Sequence, residues 1–561
     1  MTITKILNSQ TKTITFAAFL LFLSGLFSRF LGLLRDNLLA NLFIKQETDI
    51  YFAAFLLPDF LYGILITGGI VAAFLPVFAE NFKSGYSQAR ALTNNIFTIF
   101  FIALILISLI LVIFAPVFVS IITPGFSESQ QAMMIILTRI MCLSPVLLGI
   151  SSIFSSILQY FNLFWAVALA PIFYNFGIIF GILFFAPIFG LKGLALGIIL
   201  GAFLHLLIQI FPLSKKGFLP CFSFDFKSSF SSLKKILKLM IPRTIGAAAY
   251  NLNLIIITAI ASTLSAGAIS VFNFSNNLQY LPIGLIGVSF AMASFPLFSQ
   301  IFVEKNKEKF SQTFSATFSR ILFLIIPLSI LIFLFRFQLV KLIFGFSFLG
   351  NGHFGLEQIK LTAASLGIFS FSLFAACLIP FLARVFYSIQ NTKTPVKIAI
   401  LSVFLNIIFC YFFIWLLNFP NFFQETIVSF LNLKNIKDIS VIALPLALSI
   451  STIFQFFLLI LTLKKKLKFL EFSEIYSSTK KILVASLLMA VLIYFVLNVF
   501  ALFANANTAM GLFLQLLLAS ISALFSYFIF SYLLKLKEQK IICAFLKTQF
   551  KKSENTVRDS S

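Results

Sequence analysis

Fourteen apolar runs, each longer than twenty residues, make up most of this 561-residue chain. A hydrocarbon core of about 30 Å requires about 20 apolar residues in a helix. Hydrophobic residues account for 60% of the chain and charged residues for only 10%, whereas soluble domains are roughly 45–50% apolar. We therefore predict an all-α integral membrane protein with about fourteen transmembrane helices, spans 1 to 14. By residue number, the predicted spans are 14–34, 49–79, 93–120, 132–158, 164–187, 190–212, 239–263, 267–300, 314–346, 361–388, 396–418, 439–462, 482–504 and 508–534.

Lysine and arginine are concentrated in alternate loops between these spans. If the N-terminus is cytoplasmic, the loops on its side of the membrane hold most of the 41 basic residues. Cytoplasmic loops carry an excess of basic residues, so both termini are predicted to be cytoplasmic. The net charge of +24 would suggest nucleic-acid binding in a soluble protein. Here we assign it to short loops and to a basic tail that meets anionic phospholipids, with no nucleic-acid partner.

Two parts of the chain resemble each other at an offset of about 220 residues. Residues 75–80 (LPVFAE) end span 2, and residues 295–300 (FPLFSQ) end span 8. The PGF of 124–126 and the FGF of 344–346 follow at the same offset. Parallel repeats of this kind are a transporter architecture, with the substrate site between the two halves. The predicted organisation is an N-terminal lobe at 1–213, a C-terminal lobe at 214–463, two further helices at 464–535 and a basic cytoplasmic tail at 536–561.

Charged residues lie at the end of the first span. Arg29 and Asp36 are seven residues apart, nearly two helical turns, and so share a face, whereas Arg35 lies on a different face. A cation inside a bilayer costs about 2.5–3.5 kcal/mol on insertion scales, so these side chains should meet an anion or another charged helix. With Asp49 at the start of span 2, they predict either a phosphate site or a gate closed by its own ion pairs.

No motif for catalysis, a cofactor or a metal is present. The five cysteines are scattered without a CxxC, and the histidines His205 and His353 are far apart. Neither set indicates a disulfide framework or a metal site. The loops predicted outside the membrane are short and poor in carboxylates, which argues against an integral-membrane glycosyltransferase. We predict a monomeric transporter, not an enzyme.

Several motifs resemble those of the MurJ (MviN) family, lipid II flippases of the MOP exporter superfamily. The longest is FYSIQNTKTPVKIA at 386–399, similar to the family's FYS-x-x-x-x-KTP-V segment. Residues 28–36 match SR-x-LG-x-x-RD, and 48–49 match the start of a TDAF motif. The TPGF of 123–126 is similar to APGF, and 170–175 match AP-x-x-x-N.

The resemblance implies a bacterial inner-membrane protein that exports lipid II, the undecaprenyl-pyrophosphate-linked disaccharide-pentapeptide, by alternating access of two lobes. It also implies a cationic cavity for the pyrophosphate and a groove beside spans 13 and 14 for the lipid tail. The family's functional residues carry over at Arg29, Arg35, Asp36 and Asp49.

This chain departs from the family pattern in two spans. Tyr62, Gly63 and Thr67 stand where many members carry charged residues, and Asn277 stands at the position of an arginine in span 8. We expect Arg243 in span 7 to compensate for the lost charge. A flippase for another polyprenyl-linked saccharide and a MATE-like cation-coupled drug antiporter remain alternatives. A cation exporter would need an acidic cavity, which the basic bias of span 1 does not favour.

Overall fold

A computed structural model describes residues 14–63, 70–347, 352–503 and 508–540. Those residues form helices and connecting turns without a β-strand, which confirms the all-α prediction. Eleven of the described helical segments are long and apolar enough to cross a membrane, and each coincides with one predicted span, namely 3 to 6 and 8 to 14. The described parts of spans 1, 2 and 7 also lie on helices, but those helices are not among the eleven.

The first of two compact units comprises Met1–Ser270 and Ser347–Gly355. The helices of this unit contain the described parts of the predicted spans 1 to 7. They are α1 (Ile14–Leu42), α2 (Lys45–Tyr62), α3 (Val71–Ser84), α4 (Tyr86–Ile113), α5 (Ala115–Ile122), α6 (Glu128–Met141), α7 (Ser144–Tyr160), α8 (Phe164–Phe180), α9 (Ala186–Phe189), α10 (Leu191–Lys215) and α11 (Phe230–Ser262).

The second unit comprises Val271–Phe346 and Leu356–Ser561. Its first helix starts three residues earlier, inside the first unit. The helices are α12 (Ala268–Pro282), α13 (Ser289–Val303), α14 (Lys307–Phe344), α15 (Leu356–Ser388), α16 (Lys393–Leu417), α17 (Phe422–Leu431), α18 (Ala443–Lys466), α19 (Ser473–Phe503) and α20 (Ala509–Leu533).

Proline and glycine interrupt several spans. Span 3 divides into α4 and α5 because Pro116, which has no N–H to donate, lies in the first turn of a new helix. Pro145 begins α7 in the same way within span 4. Span 8 widens into a π-helical turn at Ile283–Val288, directly after Pro282. These residues therefore divide single apolar runs into successive helical pieces.

Glycines bring α8, together with the π-helical turn that continues it (Gly181–Phe185), into backbone contact with α10. A methyl group built on Gly181 would lie 2.3 Å from the Cα of Gly197, and one on Gly177 would lie 2.3 Å from the Cα of Gly201. These spacings of four residues form small-residue stripes, which permit close approach of membrane helices whose association gains little from the hydrophobic effect. The pair therefore holds α8 in a defined position, and α8 carries part of the site described below.

The outward faces of the helices carry large apolar side chains. Phe30 is 64% exposed, Ile188 73% and Phe422 84%. A soluble monomer rarely exposes apolar patches of this extent. These side chains are suited to contact with lipid, as expected for a multi-pass membrane protein.

Candidate functional site: a charged cluster on helices α1, α2 and α8

One face of α1 lies against α8. Ser28, Gly32 and Arg35 are spaced at i, i+4 and i+7 and so point in the same direction. The Asn175 side chain of α8 meets all three: its Nδ2 donates to the Ser28 carbonyl oxygen at 3.2 Å and to Ser28 Oγ at 3.1 Å. Its Oδ1 accepts from Arg35 Nη1 at 3.4 Å and would lie 3.9 Å from a methyl group on Gly32. Asn175 therefore fixes the register of α1 on α8 and also contacts the arginine.

Arg35 and Asp36 form an ion pair within α1. Arg35 Nη2 and Nε donate to the same oxygen, Asp36 Oδ1, at 2.8 and 3.0 Å. The Arg35 side chain is 22% exposed and that of Asp36 is 4% exposed. The two nitrogens on one edge of the guanidinium, which could hold a phosphate in bidentate fashion, therefore already hold an internal carboxylate. Another anion can bind Nε and Nη2 of Arg35 together only if Asp36 releases them.

A third charged residue, Asp59 of α2, belongs to the same cluster. Its carboxylate interacts electrostatically with Arg35 and with the tyrosines Tyr62 and Tyr174. The residue is nevertheless exposed. The cluster combines one guanidinium, two carboxylates and tyrosine hydroxyls on three helices.

Asp49 serves a different local role. Its side chain, buried at 4% exposure, accepts hydrogen bonds from the backbone N–H groups of Gly267 at 2.6 Å and Ser270 at 2.8 Å, and from the Ser270 hydroxyl. These donors belong to the first turn of α12, whose N–H groups have no partners within the helix. A carboxylate is favourable at this positive end of the helix dipole. Asp49 of α2 thus caps α12.

Replacing Asp49 with alanine should lower the free energy of unfolding by about 2–4 kcal/mol, because two buried N–H groups lose their acceptor. Asparagine keeps one oxygen acceptor without the charge and should cost less. The measurement is thermal unfolding of the purified protein in detergent. Gln46→Ala, an exposed change in the same helical turn, is the control. Equal melting temperatures for Asp49→Ala and Gln46→Ala would contradict the capping role.

The other predicted site residues are Arg29, Asn277 and Arg243. Arg29 is half-buried on α1, and among the described residues Asp36 forms its ion pair with the adjacent Arg35. Asn277 is half-buried on α12 in the second unit. Arg243 lies on α11, but its side chain is outside the described residues, as is Thr67.

The sequence analysis did not single out Tyr174 or the partnership of Asn175 with Arg35. Of these residues, only Asn175 could have been identified from the sequence, because it is the last residue of the AP-x-x-x-N motif. In the described ranges, no group of three or more histidine, cysteine, aspartate or glutamate side chains could hold a metal ion. His205 instead lies within hydrogen-bond distance of Ser151, with Nδ1 and Oγ 2.7 Å apart.

Comparison with known proteins gives consistent results. The family model described as lipid II flippase MurJ matches residues 39–514. The chain is 29% identical over 482 residues to the probable lipid II flippase MurJ of Buchnera aphidicola subsp. Schizaphis graminum, covering 84% of this chain and 88% of that protein. It is 30% identical over 392 residues to the lipid II flippase MurJ of Burkholderia cenocepacia, covering 68% and 75%.

Two solved structures share the fold. A lipid II flippase MurJ in an inward closed conformation superposes with a TM-score of 0.69 at 22% identity, covering 92% of this chain and 99% of the other. An inward-facing multidrug resistance MATE family transporter of the MOP superfamily superposes with a TM-score of 0.62 at 15% identity, covering 80% and 96%. At these identities the likeness concerns the fold alone.

Proposed function

We propose, since this chain belongs to the lipid II flippase MurJ family, that it moves lipid II from the inner to the outer leaflet of the bacterial cytoplasmic membrane. The observation that carries the proposal is the family match over 39–514, which takes in α2, α8 and most of both units. The charged cluster offers a place for the pyrophosphate. We propose a transporter without a catalytic role or a cofactor.

In the proposed mechanism, the pyrophosphate replaces Asp36 on Arg35. Planar guanidinium groups bind phosphate and carboxylate with the same two-pronged geometry. An arriving phosphate can therefore take over the Nε and Nη2 hydrogen bonds that Asp36 Oδ1 now accepts. Asp36 reclaims the arginine when the cargo leaves, so the ion pair acts as a gate that cargo opens. Asp59 and the tyrosine hydroxyls surround the exchange.

The proposed architecture has fourteen spans in two six-helix lobes that alternate access. The lobes lie at 1–213 and 214–463, and the helices of 464–535 form the groove for the lipid tail. The proposed orientation places both termini in the cytoplasm, with the basic tail at 536–561 against anionic phospholipids. We propose that the transporter works as a monomer.

Four predicted residues have supporting roles in this proposal. Arg29 and Arg243 add positive charge along the path of the pyrophosphate, and Asn277 offers it an amide donor. Asp49 contributes by accepting the hydrogen bonds of Gly267 and Ser270 at the start of α12. None of these roles requires a metal or a covalent intermediate.

The experiment is complementation of a bacterial strain depleted of its own lipid II flippase. We expect the wild-type chain to restore growth and to restore the appearance of lipid II in the outer leaflet, detected by an externally added enzyme or probe that cannot cross the membrane. Expression is verified by quantifying the protein in the membrane fraction. A well-expressed chain that restores neither would contradict the proposal and would favour another polyprenyl-linked saccharide as cargo.

A further inference from the structure

A polar cavity lies within the second unit, apart from the residues of the charged cluster. It has a volume of about 220 Å³ and is lined by residues of α14, α19 and the segment that follows α20. The lining includes Arg320, Lys481 and Lys535, with hydroxyl groups from Ser319 and Ser478. A water molecule occupies about 30 Å³ in the liquid, so the cavity can hold a small polar group. The three elements meet at the ends of membrane helices, the level at which lipid headgroups lie.

The cavity favours an anion. Four of its lining side chains are cationic and two are carboxylates. Lys537 Nζ donates to Glu474 Oε1 at 3.1 Å, so this cation and this carboxylate neutralise each other. Three cationic side chains then remain with one carboxylate, that of Glu538. The excess positive charge, together with hydroxyl donors, is the composition that binds a phosphate group.

Two buried atoms of the lining lack protein partners. Arg320 Nε, a donor, and Glu538 Oε2, an acceptor, are buried without a hydrogen bond, and Glu538 is only 5% exposed. An unmade hydrogen bond of a buried charged group is costly. Both atoms have almost no accessible surface as the side chains stand, so a polar ligand that draws Arg320 and Glu538 toward the cavity would relieve this cost. Arg320 requires an acceptor and Glu538 requires a donor. A phosphate ester that carries a neighbouring hydroxyl or ammonium group provides both.

We propose that this cavity binds the headgroup of a glycerophospholipid. The phosphodiester contacts Arg320 and Lys481, and the hydroxyl or ammonium group of the headgroup donates to Glu538. Phosphatidylglycerol and phosphatidylethanolamine share this chemistry, whereas the choline headgroup has no donor. In the orientation proposed above, the lipid belongs to the cytoplasmic leaflet. The site is independent of the cargo, so it stands even if the transported molecule is not lipid II.

The test measures binding of short-chain phospholipids to the purified full-length protein in detergent, by native mass spectrometry and by the shift in melting temperature that a ligand of the folded state causes. Phosphatidylglycerol and phosphatidylethanolamine should bind about tenfold more tightly than phosphatidylcholine, the effect of one charge-assisted hydrogen bond. Arg320→Gln and Lys481→Gln should each weaken phosphatidylglycerol binding by about tenfold. Glu538→Leu should remove the preference over phosphatidylcholine.

Lys480→Gln is the matched control. Lys480 is adjacent to Lys481, but its ammonium lies over the Tyr476 ring, 4.3 Å from the centroid, and not in the cavity lining. Equal phosphatidylglycerol affinity in the Lys480 and Lys481 variants would overturn the site. Inorganic phosphate or glycerol phosphate that displaces the lipid at equal concentration would overturn the lipid assignment in favour of a free anion. If Arg320→Gln does not fold, Lys481→Gln decides, since that side chain is exposed.

Discussion

An Arg35→Ala variant is expected to lose rescue of a strain depleted of its own lipid II flippase. Alanine removes both nitrogens that would hold the pyrophosphate, and each charge-assisted hydrogen bond contributes about 1.5–3 kcal/mol. The loss corresponds to roughly a hundredfold or more in cargo affinity. Lysine keeps the charge but not the two-pronged geometry, so Arg35→Lys should rescue partially. The measurement is growth together with lipid II in the outer leaflet at matched expression.

The control for this variant is Arg139→Ala. Arg139 is an exposed arginine on the membrane helix α6, and its Nε donates to the Val112 carbonyl oxygen at 3.1 Å. Its removal tests whether the loss of any arginine from a membrane helix impairs the protein. We expect Arg139→Ala to rescue fully. Full rescue by Arg35→Ala as well would exclude the guanidinium from cargo binding.

A Gly181→Leu variant is expected to lose folded protein. Even the first carbon of the new side chain would lie 2.3 Å from the Cα of Gly197, and backbone atoms cannot move aside as the tip of a side chain can. The two helices must separate, at a cost of about 3 kcal/mol or more. The expected result is a lower melting temperature and aggregation in gel filtration, with Gly181→Ala showing a smaller effect of the same sign.

Gly25→Leu provides the comparison for this prediction. Gly25 lies on α1, also a membrane helix, but nothing lies within 4 Å of a methyl group built there. The same glycine-to-leucine change should therefore leave the melting temperature close to that of the wild type. If both variants melt alike, contact between α8 and α10 does not determine stability.

The helical fold is predictable from the sequence because the bilayer imposes a length on every apolar segment. Eleven predicted spans coincide with apolar helices for this reason. The break between α4 and α5 was harder to predict from the sequence. Pro116 is apolar and leaves the hydrophobic run intact, although it ends a helix. The π-helical turn at Ile283–Val288 likewise depends on how the backbone hydrogen bonds shift locally, which an apolar run does not reveal.

The site was predictable only in part. Arg35 and Asp36 were identified by the cost of charge in an apolar segment, but Asp36 was placed with Arg29 on the basis of helix periodicity. An arginine side chain is long enough to fold back onto its neighbour, so helical spacing alone does not determine the pair. Tyr174 and Asn175 are about 140 residues away, and their position depends on which helices pack together. The glycines spaced four residues apart could have predicted one such contact, the close approach of α8 and α10.

The ion pair within α1 has a consequence for how tightly cargo can be held. Asp36 adjoins Arg35 in the chain, so it competes for the guanidinium as a tethered ligand with a high effective concentration. The apparent affinity for any anion is reduced by the fraction of time the arginine is already occupied. If the pyrophosphate binds Arg35 as proposed, the carrier should bind its cargo weakly and release it readily. Lipid cargo confined to a membrane reaches the carrier at a high local concentration, so weak binding is sufficient to load it. Tight binding would instead slow the release of cargo and so limit turnover.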